Sequence, residues 1–401
     1  MTPIEFTGLA SSVGPLTKRI SLGPNGDLVV DGSACNMWQG TAVRVLVGTM
    51  TEVAAYIGAC KHNQAIAVGA LDQDRPALVN IVTAKNLAKM NGTAGPDTIS
   101  RTSQHIKYVP GKPALALLDY DTKAMPKALA ERIEALGGFW QALLAVVPEL
   151  KDGGRVTRNS TSSGIERVDT GAKLKGSSGV HVFLLVQNGG DVERFLKALH
   201  DRCWLCGFGW MMVGAGGQFL ERSIVDRMVY AAERLVFEGE PVLVEPLKQD
   251  ARHRAPVAHE GEPTNTAAIC PKLDDAETTT LKTLKDAELK RLAPASVKVR
   301  AKFVKEQVAR ITARTECSDA DAKLAAEQMC EGILLPDVVL AFDDDDLAGA
   351  TVADILANPE RFVGKTLADP LEGIDYGKCK AKVMQCSATI RMNVRDNLGE
   401  C

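Results

Sequence analysis

The sequence predicts an α+β protein. Short apolar runs bounded by turn residues indicate strands, and longer segments with apolar residues at helical spacing indicate helices. The strand-like runs lie at 28–30, 65–69, 78–82, 115–118 and 180–186. The helical segments lie at 51–66, 126–149, 190–203 and 276–330. Strands and helices are therefore mixed over the first part of the chain, and a smaller, mainly helical module follows.

Individual elements rest on local signals. The turn Pro24-Asn25-Gly26-Asp27 leads into the first strand-like run. The segment 126–149 is amphipathic, with Leu129, Ile133, Leu136, Trp140, Leu143 and Val147 on one face. Three prolines, Pro256, Pro263 and Pro271, interrupt a polar stretch that indicates a linker. We expect a catalytic domain over 1–250, a linker over 251–275, a mainly helical module over 276–382 and an atypical tail over 383–401.

The composition is typical of a globular protein with a sizeable core. The chain has 401 residues, of which 45% are hydrophobic and 24% charged, and its net charge is −3. A surface that binds nucleic acid would therefore be a local basic patch. The ten cysteines show no framework spacing, no signal peptide is visible, and no apolar run approaches the ~20 residues of a membrane span. We expect a cytoplasmic protein with reduced thiols and no membrane partner.

The most informative stretch is Leu115-Ala116-Leu117-Leu118-Asp119-Tyr120-Asp121. An apolar strand here ends in two carboxylates, and residues two apart in a strand point to the same face. A divalent cation would remove the repulsion between these like charges, and hard oxygen ligands suit Mg²⁺ or Mn²⁺. The alternative interpretation is a strand that runs into an acidic turn.

Two later segments could contribute further residues to the same site as Asp119 and Asp121. Small polar residues lead into a strand in Ser177-Ser178-Gly179-Val180-His181, after a basic loop over 151–176 that either handles phosphates or is a solvated connection. A lone histidine in a strand is also compatible with a packed or capping role. Further along, the apolar pair Ile224-Val225 ends in Asp226.

Three other motifs give weaker evidence for a functional site. The pair Cys203 and Cys206 lacks the second pair that a structural zinc site normally has, so buried structural cysteine is the preferred interpretation over metal or redox use. The triplet Gly364-Lys365-Thr366 lacks the earlier glycine of a phosphate-binding loop, because Pro359 stands there. The acidic run 343–346 is typical of a solvated face.

Taken in order, the segments ending at Asp121, His181 and Asp226 resemble the motifs of the archaeo-eukaryotic primase superfamily. The wider sequence is similar to the primase and primase-polymerase modules of phages, plasmids and integrative elements, which often precede a helicase. The stretch 369–377 resembles a segment that follows such modules. One departure is Ser178, which stands where replicative primases carry a basic residue; Lys175, Lys173 or Arg158 could substitute for it.

The resemblance implies a catalytic core made of an α/β N-terminal half and an RRM-like half. It implies template-directed nucleotidyl transfer that makes primers for replication of a mobile element, with two Mg²⁺ or Mn²⁺ ions held by Asp119, Asp121 and Asp226. His181 would donate to the triphosphate of an incoming NTP or dNTP. The further nucleotide contacts would be Ser177, Ser178, Lys175 and Arg234.

The implied partners are a single-stranded DNA template along locally basic surface and a replicative helicase. No Walker A loop occurs in the sequence, so we expect that helicase to be encoded separately or lost. Two other functions stay open. A metal-dependent glycosyltransferase also uses Asp-x-Asp, although it gives Asp226 no obvious role. A non-catalytic DNA-binding replication protein could retain the primase fold.

Overall fold

Strands and helices both run through the chain, which confirms the predicted α+β class. The structure is a computed structural model. It describes residues 3–32, 35–90, 92–174, 176, 178–313, 318–330, 338–340, 342, 344–363, 365–368, 380–386 and 389–395. No helix among these residues is both long and apolar enough to cross a membrane.

The strands of the first half are β1 (Ile4–Ser11), β2 (Arg19–Leu22), β3 (Leu28–Asp31), β4 (Gln39–Val47), β5 (Gln64–Ala67), β6 (Ala70–Leu71), β7 (Leu78–Val82), β8 (Thr98–Ser100), β9 (Ile106–Lys107), β10 (Ala114–Tyr120), β11 (Arg155–Asn159), β12 (Ile165–Arg167) and β13 (Val180–Val186). The later strands are β14 (Gly209–Val213), β15 (Phe219–Ser223), β16 (Val242–Leu243), β17 (Leu247–Gln249), β18 (Val257–His259), β19 (Thr366–Ala368), β20 (Lys380–Cys386) and β21 (Thr389–Arg395).

The α-helices are α1 (Met50–Ala59), α2 (Ala84–Lys89), α3 (Lys127–Ala135), α4 (Phe139–Val146), α5 (Val192–Leu205), α6 (Thr266–Ile269), α7 (Asp275–Thr312), α8 (Asp319–Cys330), α9 (Val352–Ala357) and α10 (Pro359–Phe362). The chain forms two compact units. The first unit comprises Met1–Gly209 and Ser223–Glu277, and the second comprises Trp210–Arg222 and Thr278–Cys401.

The first unit contains two main sheets. The first sheet has the strand order β5-β1-β4-β7-β8, and its core holds Leu9, Ala42, Val79 and Ile81. The second sheet has the order β10-β13-β11-β18, with every neighbouring pair antiparallel. The apolar residues of β10 from Ala114 to Leu118 are buried on both faces of the strand, as expected for a strand covered on two sides.

The two faces of the second sheet contact different elements. On one face, Tyr120 stacks on Phe139 and the Arg155 guanidinium lies over the Trp140 ring, so this face carries α4. On the other face, the Arg158 side chain reaches the carbonyl of Ile57 at the end of α1. Asp119, His181 and Arg158 share this second face because they are cross-strand partners.

The predicted helix over 126–149 is wrong in one respect, because the structure divides it into α3 and α4. Gly137 and Gly138 separate them with φ values of 98° and 100°. These left-handed conformations cost glycine little but are incompatible with a continuing helix. The break turns Phe139 and Trp140 toward the sheet.

The segment expected to be a linker, 251–275, instead contributes to the first unit. It supplies the edge strand β18, paired with β11, and the short helix α6. The Glu260 carboxylate also accepts hydrogen bonds from the backbone N–H groups of Met50 and Thr51, at 3.1 and 2.8 Å, and so caps the start of α1. Of the prolines of this segment, Pro256 and Pro263 are partly buried and Pro271 is exposed.

The second unit joins a hairpin to the long helix α7. Strands β14 and β15 form the hairpin, and Ser296 of α7 donates a 2.6 Å hydrogen bond to the carbonyl of Gly217. The module expected to be mainly helical also contains a sheet with the order β19-β20-β21. Within the expected tail, Val383 is fully buried in a small core with Leu340, Ile355 and Phe362. The stretch 369–377 lies outside the described residues.

Candidate functional site

The motif residues Asp119 and His181 meet at one end of the second sheet. Asp119 is the penultimate residue of β10, and its cross-strand partner is His181, the second residue of β13. The distance from Asp119 Oδ1 to His181 Nε2 is 3.6 Å, an ion-pair separation that exceeds a hydrogen bond. The two side chains are 28% and 19% exposed, so this end of the sheet is open to solvent.

Asp226 joins the same place through the backbone. Its N–H donates to the Asp119 carbonyl at 3.1 Å, which ties the third motif to the end of β10. The Asp226 side chain accepts a 2.8 Å hydrogen bond from the N–H of Met228 and so starts the short turn Arg227–Tyr230. Chain segments far apart in the sequence thus converge on Asp119.

The remaining predicted residues lie around this end of the sheet. Asp121 directly follows β10, is exposed, and accepts a 3.0 Å hydrogen bond from the N–H of Lys123. The hydroxyls of Thr122 and Ser178 are 3.2 Å apart, which connects the two loops that flank the site. Ser177 and Lys175 lie outside the described residues.

Arg234 lies beside the turn that follows Asp226. Its guanidinium donates a 3.2 Å hydrogen bond to the carbonyl of Met228. This contact places Arg234 next to the third motif and braces the turn that presents Asp226. The contact of Arg234 with a nucleotide stays a prediction.

Glu238 was not predicted from the sequence. This side chain is fully buried, and its Oε1 lies 2.6 Å from His181 Nδ1. Its Oε2 lies 3.0 Å from Arg158 Nη1 and 3.6 Å from Arg254 Nη2. The one local signal was Val236-Phe237-Glu238, which repeats the apolar-apolar-acid pattern of the segment ending at Asp226.

Arg158 is a supporting residue and not an exposed cation. Its guanidinium is buried and donates to the carbonyls of Ile57 and Glu238 at 2.8 and 2.7 Å as well as to the Glu238 carboxylate. Its Nε donates to the carbonyl of Arg254. The suggestion that Arg158 replaces the missing basic residue at Ser178 is therefore wrong, because these partners already engage its side chain beneath the site.

The charges of this cluster stabilise one another. Burial lowers the pKa of His181, but the Glu238 carboxylate and, to a smaller degree, Asp119 outweigh that effect, and the net shift is upward. Burial raises the pKa of Glu238, but His181, Arg158 and Arg254 reverse this and hold it below its ordinary value. Burial also lowers the pKa of Arg254, to about 10. Glu238 is thus ionised at neutral pH.

The three carboxylates at this end of the sheet are candidate cation ligands. Asp119, Asp121 and Asp226 offer hard oxygen donors, and the backbone places all three at one end of the sheet. Within the part of the chain that the structure describes, no group of three or more His, Cys, Asp or Glu side chains is arranged to hold a metal ion. These carboxylates are therefore the type of ligand that Mg²⁺ or Mn²⁺ prefers. The described side chains are not arranged as a coordination site.

Of the two cysteines, only Cys203 agrees with the preferred interpretation of buried structural cysteine. Cys203 is buried in α5 and Cys206 is exposed, and both are free thiols. Burial raises the pKa of Cys203 well above its ordinary value, which keeps this thiol neutral and unreactive.

Comparisons of the chain with protein-family models, with curated proteins and with solved structures find no significant match.

Proposed function

We propose that the chain is a primase or primase-polymerase, which joins nucleotides on a single-stranded DNA template in the replication of a mobile element. The proposal rests on one observation above all. Asp119 and His181 are direct cross-strand partners, and Asp226 is hydrogen-bonded to Asp119 through the backbone. The three segments whose order resembles the primase motifs thus meet at one open end of a sheet.

In nucleotidyl transfer, each side chain of the site would have a separate role. Asp119, Asp121 and Asp226 are the residues that would hold divalent cations. Such ions supply charge stabilisation for an attacking hydroxyl and a leaving pyrophosphate when they are bound. His181 faces the same opening with Nε2, where a protonated imidazole donates to an anionic triphosphate. Ser178 lies on the loop beside it and adds a hydroxyl donor.

The finer fold is part of this proposal. An antiparallel sheet that carries α4 on one face and the site residues on the other is compatible with the RRM-like half of a primase core. The first sheet would then belong to the N-terminal half.

The experiment is nucleotide incorporation by the full chain. Labelled NTPs and dNTPs are supplied with a single-stranded DNA template and either Mg²⁺ or Mn²⁺, and products are resolved by length. We expect template-dependent products that chelation of the metal abolishes. Asp226→Asn should lose this activity, and Asp74→Asn, which changes an exposed carboxylate elsewhere in the first unit, should keep it.

The other two functions predict different results in the same preparation. Hydrolysis of a nucleotide sugar with Mn²⁺ and no incorporation would indicate a glycosyltransferase. Binding of single-stranded DNA without incorporation under any metal would indicate a non-catalytic replication protein. Either result would contradict the proposal.

A further inference from the structure

Glu238 lies behind His181, on the side away from the opening. It belongs to a segment held on two sides: Val236 forms a β-bridge with Ile66, and the Thr161 hydroxyl donates to the carbonyl of Phe237 at 3.2 Å. A side chain at Gly239 would place its Cβ 2.2 Å from the carbonyl oxygen of Lys61, so only glycine permits this close approach. The backbone around Glu238 is therefore fixed.

The carboxylate of Glu238 is fixed as well. Arg158 and Arg254 both donate to the Glu238 carbonyl, at 2.7 and 3.1 Å, and both also face its Oε2. Oε1 is directed to His181 Nδ1 at 2.6 Å. An ionised carboxylate only accepts hydrogen bonds, so the proton between these atoms belongs to Nδ1. The ring is thereby oriented with Nε2 toward the open end of the sheet.

Arg158 and Arg254 alone would neutralise the buried carboxylate of Glu238. The third, shorter contact goes to the one member of the cluster that reaches solvent, because Arg158 and Arg254 are 6% and 3% exposed and His181 is 19% exposed. The groups that face His181 are Asp119 across the strand pair, Glu238 behind the ring and Lys18 nearby. This arrangement favours a role for Glu238 in orienting His181 over a role in packing alone.

We propose that Glu238 is a positioning residue, which orients His181 through Nδ1 so that Nε2 binds the triphosphate of the incoming nucleotide. This inference rests on the proposed function for the identity of the ligand. Glu238 itself touches no substrate, because it is completely buried. Its effect on ligand binding must therefore pass through His181, and the two residues must be energetically coupled.

The test is a double-mutant cycle on the full chain with inorganic tripolyphosphate as the probe. Affinities are measured by calorimetry for the wild type, Glu238→Gln, His181→Ala and the double variant. We expect each single variant to weaken binding about tenfold, and the double variant to bind no more weakly than His181→Ala. Glu240→Gln removes an exposed carboxylate two residues away and should bind like the wild type. Wild-type affinity in Glu238→Gln, or losses that add in the double variant, would overturn the proposal.

A spectroscopic measurement covers the case in which Glu238→Gln does not fold, as judged by thermal melting. The 2.6 Å contact should give the wild type a downfield Nδ1 proton resonance that is absent in His181→Ala. A wild type without this resonance would overturn the positioning role. If the wild type binds tripolyphosphate through His181 but makes no primers, the proposed function fails and the positioning role stands.

Discussion

Asp119 and His181 lie directly opposite each other on neighbouring antiparallel strands, with 3.6 Å between Oδ1 and Nε2. The pairing puts an acidic and a basic group side by side at an opening of the sheet. Both are held by β-strand backbone, which is more rigid than a loop. The site can therefore be probed by substitutions that leave the strands intact.

Replacing both carboxylates, Asp119→Ala with Asp121→Ala, should reduce nucleotide incorporation to background. The free energy of unfolding should change by less than about 1 kcal/mol, because both side chains are at least partly exposed and like-charge repulsion is removed. Incorporation assays and urea denaturation measure the two effects. Retained synthesis with a normal unfolding transition would refute the metal-ligand assignment.

His181→Ala should raise the KM for nucleotide about tenfold and change the Kd for single-stranded DNA much less, since the side chain faces the expected triphosphate. Steady-state kinetics and a template-binding titration separate the two quantities. His62→Ala, at an exposed position away from the second sheet, is the control. Unchanged nucleotide kinetics would assign His181 a purely structural role.

Arg158→Ala should lower the free energy of unfolding by about 3–5 kcal/mol, because it removes a buried partner of Glu238. Arg167→Ala breaks a solvent-accessible ion pair with Asp169 and should cost much less, because water and salt screen that pair. Chemical denaturation compares the two variants directly. Equal, small losses would show that the Glu238 cluster contributes little to stability.

Glu238 should also make stability depend on pH on the acid side. Its folded-state pKa lies below the ordinary 4.5, so its contribution is present above that value and is lost as pH falls through the lowered pKa. The difference in unfolding free energy between the wild type and Glu238→Gln should therefore shrink on acidification below pH 4.5. Denaturation curves along a pH series measure it, and a difference that stays constant would contradict the assignment.

A chain ending after residue 250 should be at least about 3 kcal/mol less stable than one ending after residue 277. The shorter chain lacks β18, the Arg254 partner of Glu238 and the Glu260 cap of α1. For the same reason, residues 257–259 should resist limited proteolysis. Equal melting temperatures of the two chains, or rapid cleavage at that strand, would restore the linker interpretation.

Local patterns in the sequence were enough to predict most of the elements around the site and its first members. An uninterrupted apolar run fixes β10, and the side-chain alternation of a strand makes the ends near Asp119 and His181 recognisable. Helical spacing likewise located α5. The apolar run, the strand alternation and the helical spacing each depend only on neighbours within a few residues. A single sequence is therefore enough to recognise them.

The surroundings of His181, by contrast, depend on the packing of distant segments. Glu238, Arg158 and Arg254 come from separate segments, and their burial together depends on charge compensation that no local pattern encodes. The same holds for β18, whose polar, proline-flanked sequence is typical of a linker. It becomes a strand because β11 offers an unpaired edge whose backbone groups need hydrogen-bond partners.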